Sequence, residues 1–457
     1  MNNLVSKFSV KGLNGYKNIS IDLTENKPSI IIAENGSSKT NFMKMLAYLL
    51  EGRYFSLNEF KFDSLNIEFN QNKKKVQIKS KELSKFVDNY RSSLDFAFRR
   101  VTSAGISFDD YLIFIKIKYN NENFDKLKED PIIRKLYVST PFDFEEIKKL
   151  LSRSKEAQNK ILDKYRNTKN SKGFNPIIFD LCIKDAIIQY LPTYRRIESS
   201  YRDINYYNED PFSQPLLVNT EYNKMYFGLP DVHQKINSIL KEIKERTSSS
   251  ISKGLLNFIE GKNSRECLEQ SELEYVKLSF LRVNDNKDIS NVFREDFAGD
   301  LDKQLSVLFS NIYDLLTDVR RLEDQLLDFI KSVNLFFSSS GDKKQVELES
   351  ENLKFRIFFV DDEDKIPINI DDLSSGEKQI LSMFASVYLS DKSMVLLIDE
   401  PEISLSLKWQ RLLLPELIKA PFCKQLIAIT HSPFIFDNEL NDCAIPMNVS
   451  NNLESFK

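Results

Sequence analysis

At 457 residues, with 41% hydrophobic and 29% charged side chains, the chain is long enough for a large buried core and for two or three domains. A formal net charge of −3 supplies no global attraction to nucleic acid or anionic lipid, and leaves a local basic patch as the only electrostatic route to either. Two histidines exclude a histidine cluster, and Cys182, Cys267, Cys423 and Cys443 lie too far apart for a C-x-x-C zinc site or a disulfide framework, so they read as reduced, mostly buried thiols.

The opening stretch "MNNLVSKFSVKGLNGYKN" lacks the apolar run of a signal peptide, and no later segment has the length of a membrane span, so a cytoplasmic protein without a membrane partner is expected. Residues 1–80 alternate apolar and polar side chains in "KFSVKGL", "ISIDL", "SIIIA", "LNIEFN" and "KKVQIK", the period of half-buried strands. One helix interrupts them, "KTNFMKMLAYLLEG", closing at Gly52. Between strand and helix stands "AENGSSKTN". A loop in that position turns backbone N–H groups toward an anion, so Asn35, Gly36, Ser37 and Ser38 become candidates to cradle phosphate oxygens of ATP. Lys39 would neutralise charge on the β and γ phosphates, and Thr40 would ligate Mg²⁺. Ala33 and Ser38 stand where that pattern has glycine, and Ser38 is the weightier departure because glycine there permits unusual dihedrals; binding is expected to survive and turnover to slow.

Residues 81–340 read as mainly helical. Helix and strand stay open for 111–119, "YLIFIKIKY", while 186–195 reads as a core strand carrying Arg195 and Arg196 toward its carboxyl end. Those guanidiniums could reach a phosphate or a neighbouring carboxylate, or simply be solvated. From Leu301 through Leu305, Leu308, Ile312, Leu315, Val319, Leu322, Leu326 and Phe329 to Val333, steps of four and three alternate, which predicts one helix with a heptad seam reaching roughly 50 Å. Val232, Ile236, Ile239 and Ile243 offer it a partner whose regularity fails at "TSSS", 247–250. A short coiled-coil arm built from helices near 229–260 and 300–335, or a plain helical core, follows.

Strands return in residues 341–457: "QVELES" and "KFRIFFV" lead through "DDED", 361–364, into "KIPINI", and the four acids read as a hairpin tip rather than a metal cluster. "LSSGEKQ", 373–379, opens an amphipathic helix, then "MVLLIDEPE" and "QLIAITHSP" form unbroken apolar runs ending in Asp399 and Glu400 and in His431. Such runs are buried parallel strands, whose ligands sit at their carboxyl ends. Asp399 would anchor Mg²⁺ with Thr40, Glu400 would orient or deprotonate an attacking water, and His431 would contact the γ-phosphate.

"AENGSSKTN", "LSSGEKQ", "LLIDEPEISLSLKWQ" and "IAITHSPFIF" together resemble the Walker A, signature, Walker B and switch segments of ABC-type ATPases of the SMC, RecF and Rad50 lineage. The resemblance implies an α/β P-loop ATPase head assembled from both chain ends, with a mainly helical insertion. It further implies that Ser375 and Gly376 act on ATP held by another copy, so that ATP joins heads into a homo-oligomer. "QYLPTYRRIE", "EISLSLKWQ" and "THSPFIFDNEL" are similar to ATPases of prokaryotic anti-phage systems, the PARIS ATPase subunit above all and the Septu ATPase next. Relatives often carry histidines after "DEPE", where Ser404 and Ser406 stand here. Only 26 residues follow His431, too few for a built-in nuclease domain, so the resemblance implies a separate effector nuclease, released by a phage-encoded trigger. The competing reading is a RecF/Rad50-like ATPase that binds DNA in repair or recombination; nucleic acid therefore stays open as a partner, with "NKKKVQIKSK" as the local basic run. A transporter's nucleotide-binding subunit fits badly, because the span between Thr40 and Leu373 is far longer than such subunits need. Tyr16 packed in its turn or near the adenine, Gln71 near Mg²⁺ and Trp409 packed into the head complete the expectations.

Overall fold

The computed structural model describes residues 3–451 apart from 24, 26, 35, 71–72, 167–173, 178, 180–182, 184–185, 193–228, 262–267, 284–299, 342 and 362–363. In chain order its strands are β1 Val5–Leu13, β2 Lys17–Asp22, β3 Ser29–Ile32, β4 Ser64–Phe69, β5 Lys74–Lys79, β6 Ala186–Leu191, β7 Lys344–Glu349, β8 Lys354–Asp361, β9 Asp364–Ile368, β10 Ser393–Asp399, β11 Cys423–Thr430, β12 Ala444–Pro446 and β13 Asn448–Asn451. Its helices are α1 Lys39–Glu51, α2 Tyr54–Asn58, α3 Ser80–Ser93, α4 Asp95–Ser103, α5 Phe108–Phe114, α6 Phe124–Leu127, α7 Pro131–Ser139, α8 Phe144–Arg166, α9 Leu229–Ile259, α10 Gln270–Val283, α11 Asp300–Leu315, α12 Thr317–Phe337, α13 Ser375–Tyr388 and α14 Leu407–Ile418. The chain divides into two compact units, residues 1–226 with 391–457, and residues 227–390.

The first unit is α/β and holds two sheets. Parallel pairing gives the order β12-β3-β11-β10-β6, so strands from both ends of the sequence lie side by side. Val395, Leu396 and Leu397 of β10 and Leu426, Ile427, Ala428 and Ile429 of β11 are all fully buried, as the unbroken apolar runs require when both faces of a sheet are covered. The second sheet, β13-β2-β1-β4-β5, is antiparallel throughout and alternates: Phe8 and Val10 face the core while Lys7 and Lys11 of the same strand face out. Gln425 of β11 ties the two sheets together. Its Oε1 accepts from the Leu4 and Val5 N–H groups at 2.9 and 3.0 Å, and its Nε2 donates to the Val5 carbonyl at 2.8 Å.

Helices α3–α8 extend the same core. The stretch 111–119, open from sequence, is helical: α5 runs into a π-helical turn, Ile115–Tyr119. Where α1 ends, Gly52 adopts φ 77° and closes the helix. Arg53 follows, almost wholly buried, and pairs with Asp110 at 2.7 Å and with Glu51. The neighbouring Asp109 carboxylate accepts from the Phe55 and Ser56 N–H groups and the Ser56 hydroxyl, and burial raises its pKa above the usual aspartate range.

In the second unit the expected single helix over residues 301–333 is two helices, a correction to the seam reading. At Leu316 the N–H turns back to the Tyr313 carbonyl, and the Thr317 hydroxyl donates to the Asp314 carbonyl at 2.9 Å, which tightens the backbone and separates α11 from α12. Conversely, α9 continues through "TSSS" to Ile259, with the Thr247 and Ser252 hydroxyls donating back to the Ile243 and Ser248 carbonyls inside the helix. Close contact between α9 and α11 is set at Gly254, where a Cβ would collide with Ile312. The sheet β7-β8-β9 is antiparallel, and β8 and β9 flank the acidic tip as expected, with Asp362 and Glu363 outside the described residues. Asn334 of α12 holds β7 through both backbone groups of Val346, at 2.7 and 2.8 Å.

A lone charge left in the core is far more costly than a matched pair. Arg53→Ala should therefore destabilise the protein by about 3–5 kcal/mol in denaturant titration. Replacing Glu51, Arg53 and Asp110 together by Leu, Met and Leu should recover most of that loss.

Candidate functional site

The parallel sheet sets the site, because every strand in it ends on one edge. The last rungs are Ile32 opposite Thr430 and Asp399 opposite Ile429, so the residues that follow β3, β10 and β11 emerge together. After β3 comes the loop 33–38, and Lys39 and Thr40 open α1. Gly36 has φ 77° with open space where a Cβ would stand, so its requirement is conformational rather than steric. Ser38 has φ 66° and ψ 29°, the left-handed region, at a cost of roughly 1–2 kcal/mol for a residue with a side chain. The glycine-like backbone of the pattern is thus kept by a serine. Asn35 lies outside the described residues.

Lys39 is 6% exposed, and its Nζ has no hydrogen-bond partner. It stands 3.6 Å from Glu400 Oε1, and His431 Nε2 stands 3.6 Å from the same oxygen. The Ser37 hydroxyl is likewise buried and makes no hydrogen bond. Glu400 has φ 52°, a second strained backbone, and its N–H donates to the Ile429 carbonyl at 2.9 Å. Asp399 ends β10 and is buried. Thr40, in the first turn of α1, is half-buried. Loop, Lys39, Thr40, Asp399, Glu400 and His431 therefore share one edge of one unit.

Ser375 and Gly376 open α13 in the other unit. Ser374 caps that helix, accepting from the Glu377 N–H at 3.4 Å, while Glu377 accepts from the Ser374 N–H at 2.8 Å, and Lys344 holds the Glu377 carboxylate at 2.8 and 3.0 Å. Ser375 is exposed and Gly376 buried.

Three contributors escaped the sequence reading. Glu402, the third acid of "DEPE", accepts from the His431 backbone N–H at 2.8 Å and so joins the segment after β10 to the segment after β11. Burial, followed at longer range by the Glu400 carboxylate, raises its pKa against hydrogen bonds that lower it. Gln410 of α14 accepts from the Ser432 hydroxyl at 2.6 Å and donates to the Leu405 carbonyl at 3.0 Å, fixing the loop beyond His431. Lys17 donates to the Gly36 carbonyl, and to the Ser38 hydroxyl at 3.3 Å. Only Glu402 had a sequence signal, its place beside the paired acids. A cleft of 750 Å³ opens beside the loop, lined by Lys17, Ile32, Glu34, Ser37, His431 and Met447 among others.

Other expectations land more plainly. Trp409 is buried on α14, and Ser406 caps that helix, accepting from the Trp409 N–H at 3.4 Å. Ser404 takes φ 67° in the preceding turn. Cys423 and Cys443 are free and buried. Arg195, Arg196, Gln71, Cys182 and Cys267 lie outside the described residues. Among the described residues, no helix is long and apolar enough to cross a membrane, and no group of three or more His, Cys, Asp and Glu side chains is placed to hold a metal ion.

Residues 262–437 match the family described as "AAA domain, putative AbiEii toxin, Type IV TA system". Over that stretch, which carries α13, β10 and β11, the chain is similar to AAA-type ATPase domains. No curated protein matches the chain. Among solved structures, the Smc head domain with an extended coiled coil bound to the C-terminal domain of ScpA, from Pyrococcus furiosus, is 12% identical over 99% of this chain and 97% of that one, with a TM-score of 0.35. The Smc head domain with a coiled coil and joint from Pyrococcus yayanosii is 12% identical over 98% and 97%, with a TM-score of 0.33.

Folded Glu402 holds its proton more tightly than the unfolded chain does, so its contribution to stability is complete at low pH and is lost as pH rises through its raised pKa. Glu402→Gln removes that loss. The melting temperature of the variant relative to the parent should therefore be more favourable at about pH 7 than at about pH 4, and a difference independent of pH would assign the effect to another group.

Proposed function

We propose that this chain binds ATP with Mg²⁺ at the edge formed by β3, β10 and β11 and hydrolyses it. The observation that carries the reading is the Lys39 ammonium, buried at the foot of the loop with no hydrogen bond and only a 3.6 Å ion pair to Glu400. A buried cation so weakly satisfied is suited to an anionic ligand. The left-handed backbone at Gly36 and Ser38 and the N-terminus of α1 supply backbone N–H groups beside it.

In this reading Lys39 neutralises phosphate charge while the loop N–H groups orient the oxygens. Asp399 and Thr40 would hold Mg²⁺, and one carboxylate with one hydroxyl fits an ion that takes its other ligands from phosphate and water. That ion, when bound, screens the charge of the phosphates. Glu400 accepts the proton of the attacking water, and its placement 3.6 Å from both the Lys39 ammonium and His431 Nε2 steadies the carboxylate. His431 is held for this by Glu402.

The finer proposal is regulatory. Ser375 and Gly376 of one copy close over ATP held by another, and the resulting homo-oligomer holds or releases a separate effector nuclease when infection is sensed. The match of residues 262–437 to a family described through a toxin–antitoxin system supports that direction, as does the resemblance of the motif set to the ATPase subunits of PARIS and Septu. Ser375, exposed on a helix end that its own unit already caps, is free of that capping duty.

Calorimetry with Mg²⁺ and a slowly cleaved ATP analogue should register binding to the parent chain and none to Lys39→Ala. Glu400→Gln should keep affinity within about threefold, lower turnover by roughly 10²–10⁴, and accumulate the ATP-bound oligomer in native mass measurement. Equal affinity in the parent and Lys39→Ala would end the nucleotide reading. Failure of the neighbouring gene's product to co-purify in either nucleotide state would end the regulatory one.

A further inference from the structure

The loop after β3 contains a contradiction that its own residues do not resolve. Ser38 takes a backbone conformation suited to glycine, and a serine left to itself relaxes out of it unless neighbouring groups over-determine it. The group that does so comes from a different sheet. Lys17 is the first residue of β2, where its backbone is fixed between Leu13 of β1 and Asn451 of β13. Its side chain crosses to the loop and donates to the Gly36 carbonyl and the Ser38 hydroxyl, the two residues with positive φ on either side of Ser37.

We propose that Lys17 is a positioning residue for the phosphate loop and that the Ser38 hydroxyl is the handle by which it acts. The proposal rests on the nucleotide reading of this site. Holding the Gly36 carbonyl turned outward leaves the N–H groups of the loop free to converge on an anion. Holding Ser38 from its side chain replaces, by an external brace, the conformational freedom that glycine would provide. Ser38 is then half of a paired device rather than a decayed glycine, and the loop is competent only while β2 is docked in its sheet.

This assigns a coupling between two positions, which a mutant cycle reads directly. Binding of the slowly cleaved ATP analogue with Mg²⁺ is measured for the full chain and for Lys17→Met, Ser38→Gly and the double variant. Lys17→Met should weaken binding by about tenfold or more, the scale of a charge-assisted hydrogen bond. Ser38→Gly should bind as well as the parent or better, because glycine needs no brace. In that background Lys17→Met should cost no more than about threefold. Ser38→Ala, which keeps the strain and removes the handle, should resemble Lys17→Met and add little to it, reading the same link without altering β2. Lys17→Arg should restore most of the affinity, and in turnover assays Lys17→Met should raise KM while leaving kcat near the parent value.

An equal loss on Lys17→Met in the parent and in the Ser38→Gly background would overturn the proposal, since Lys17 would then be acting on the ligand directly. So would unchanged affinity in Lys17→Met. Loss of the requirement for Lys39 would instead remove the nucleotide site itself, and the Lys39→Ala measurement separates that outcome from the others.

Discussion

The structure depends on the placement of β11 between β3 and β10. β3 comes from the opposite end of the chain to β10 and β11, yet parallel pairing sets Ile32 opposite Thr430 and Asp399 opposite Ile429, so Asp399 and Thr430 end their strands within one rung of each other. A slip of one residue would move Glu400 by about 3.3 Å and send its side chain to the opposite face of the sheet. The other end of β11 is tied to the antiparallel sheet by Gln425, whose amide oxygen accepts from Leu4 and Val5 and whose nitrogen donates to Val5. A buried polar side chain is an expensive way to join two strands if any of its groups is left unpaired, and that cost makes the join specific.

Strain and charge are concentrated where the strands end. Ser38, Glu400 and Ser404 all have positive φ, and all lie in segments that leave the parallel sheet. Each conformation is individually unfavourable, yet each is held by something nearby: Ser38 by Lys17, Glu400 by its N–H bond to Ile429, and the turn around Ser404 by Gln410 and the cap at Ser406. The same edge brings Lys39 and His431 to equal distances from one carboxylate oxygen. Glu400 thus stands between an ammonium and an imidazole nitrogen, each 3.6 Å from the same oxygen.

How much of this was legible in the sequence follows from the kind of interaction involved. Unbroken apolar runs announced β10 and β11, and the succession of strand, loop and helix over β3 and α1 was equally legible, because these are local patterns. The heptad seam misled at Leu316: the hydrophobic period continues, but the Leu316 N–H turns back to the Tyr313 carbonyl and ends α11, and periodicity carries no information about that bond. The segment 111–119 was ambiguous since apolar residues lie on too many of its faces, and only packing made it helical. Strands β12 and β13 were invisible for another reason. They are three and four residues long, too short to show a period, and pair alongside β3 and β2. Lys17 read as one lysine among many until β2 was brought over the loop.

The two halves of the motif set also differ in how they are stabilised. The loop at 33–38 borrows its conformation from outside, through an ammonium on another sheet, and keeps a buried cation only weakly satisfied. The helix that begins at Ser375 is self-sufficient: its first turn is closed by the Ser374 and Glu377 capping box, and Lys344 neutralises the glutamate from an adjacent strand. A segment whose cap is complete gains nothing in stability from a ligand, so its exposed Ser375 can meet one without first rearranging. A segment that is braced, strained and under-satisfied responds to an anion by relieving its own deficits. The loop is therefore held from outside its own sheet, and the helix at Ser375 from within its own first turn.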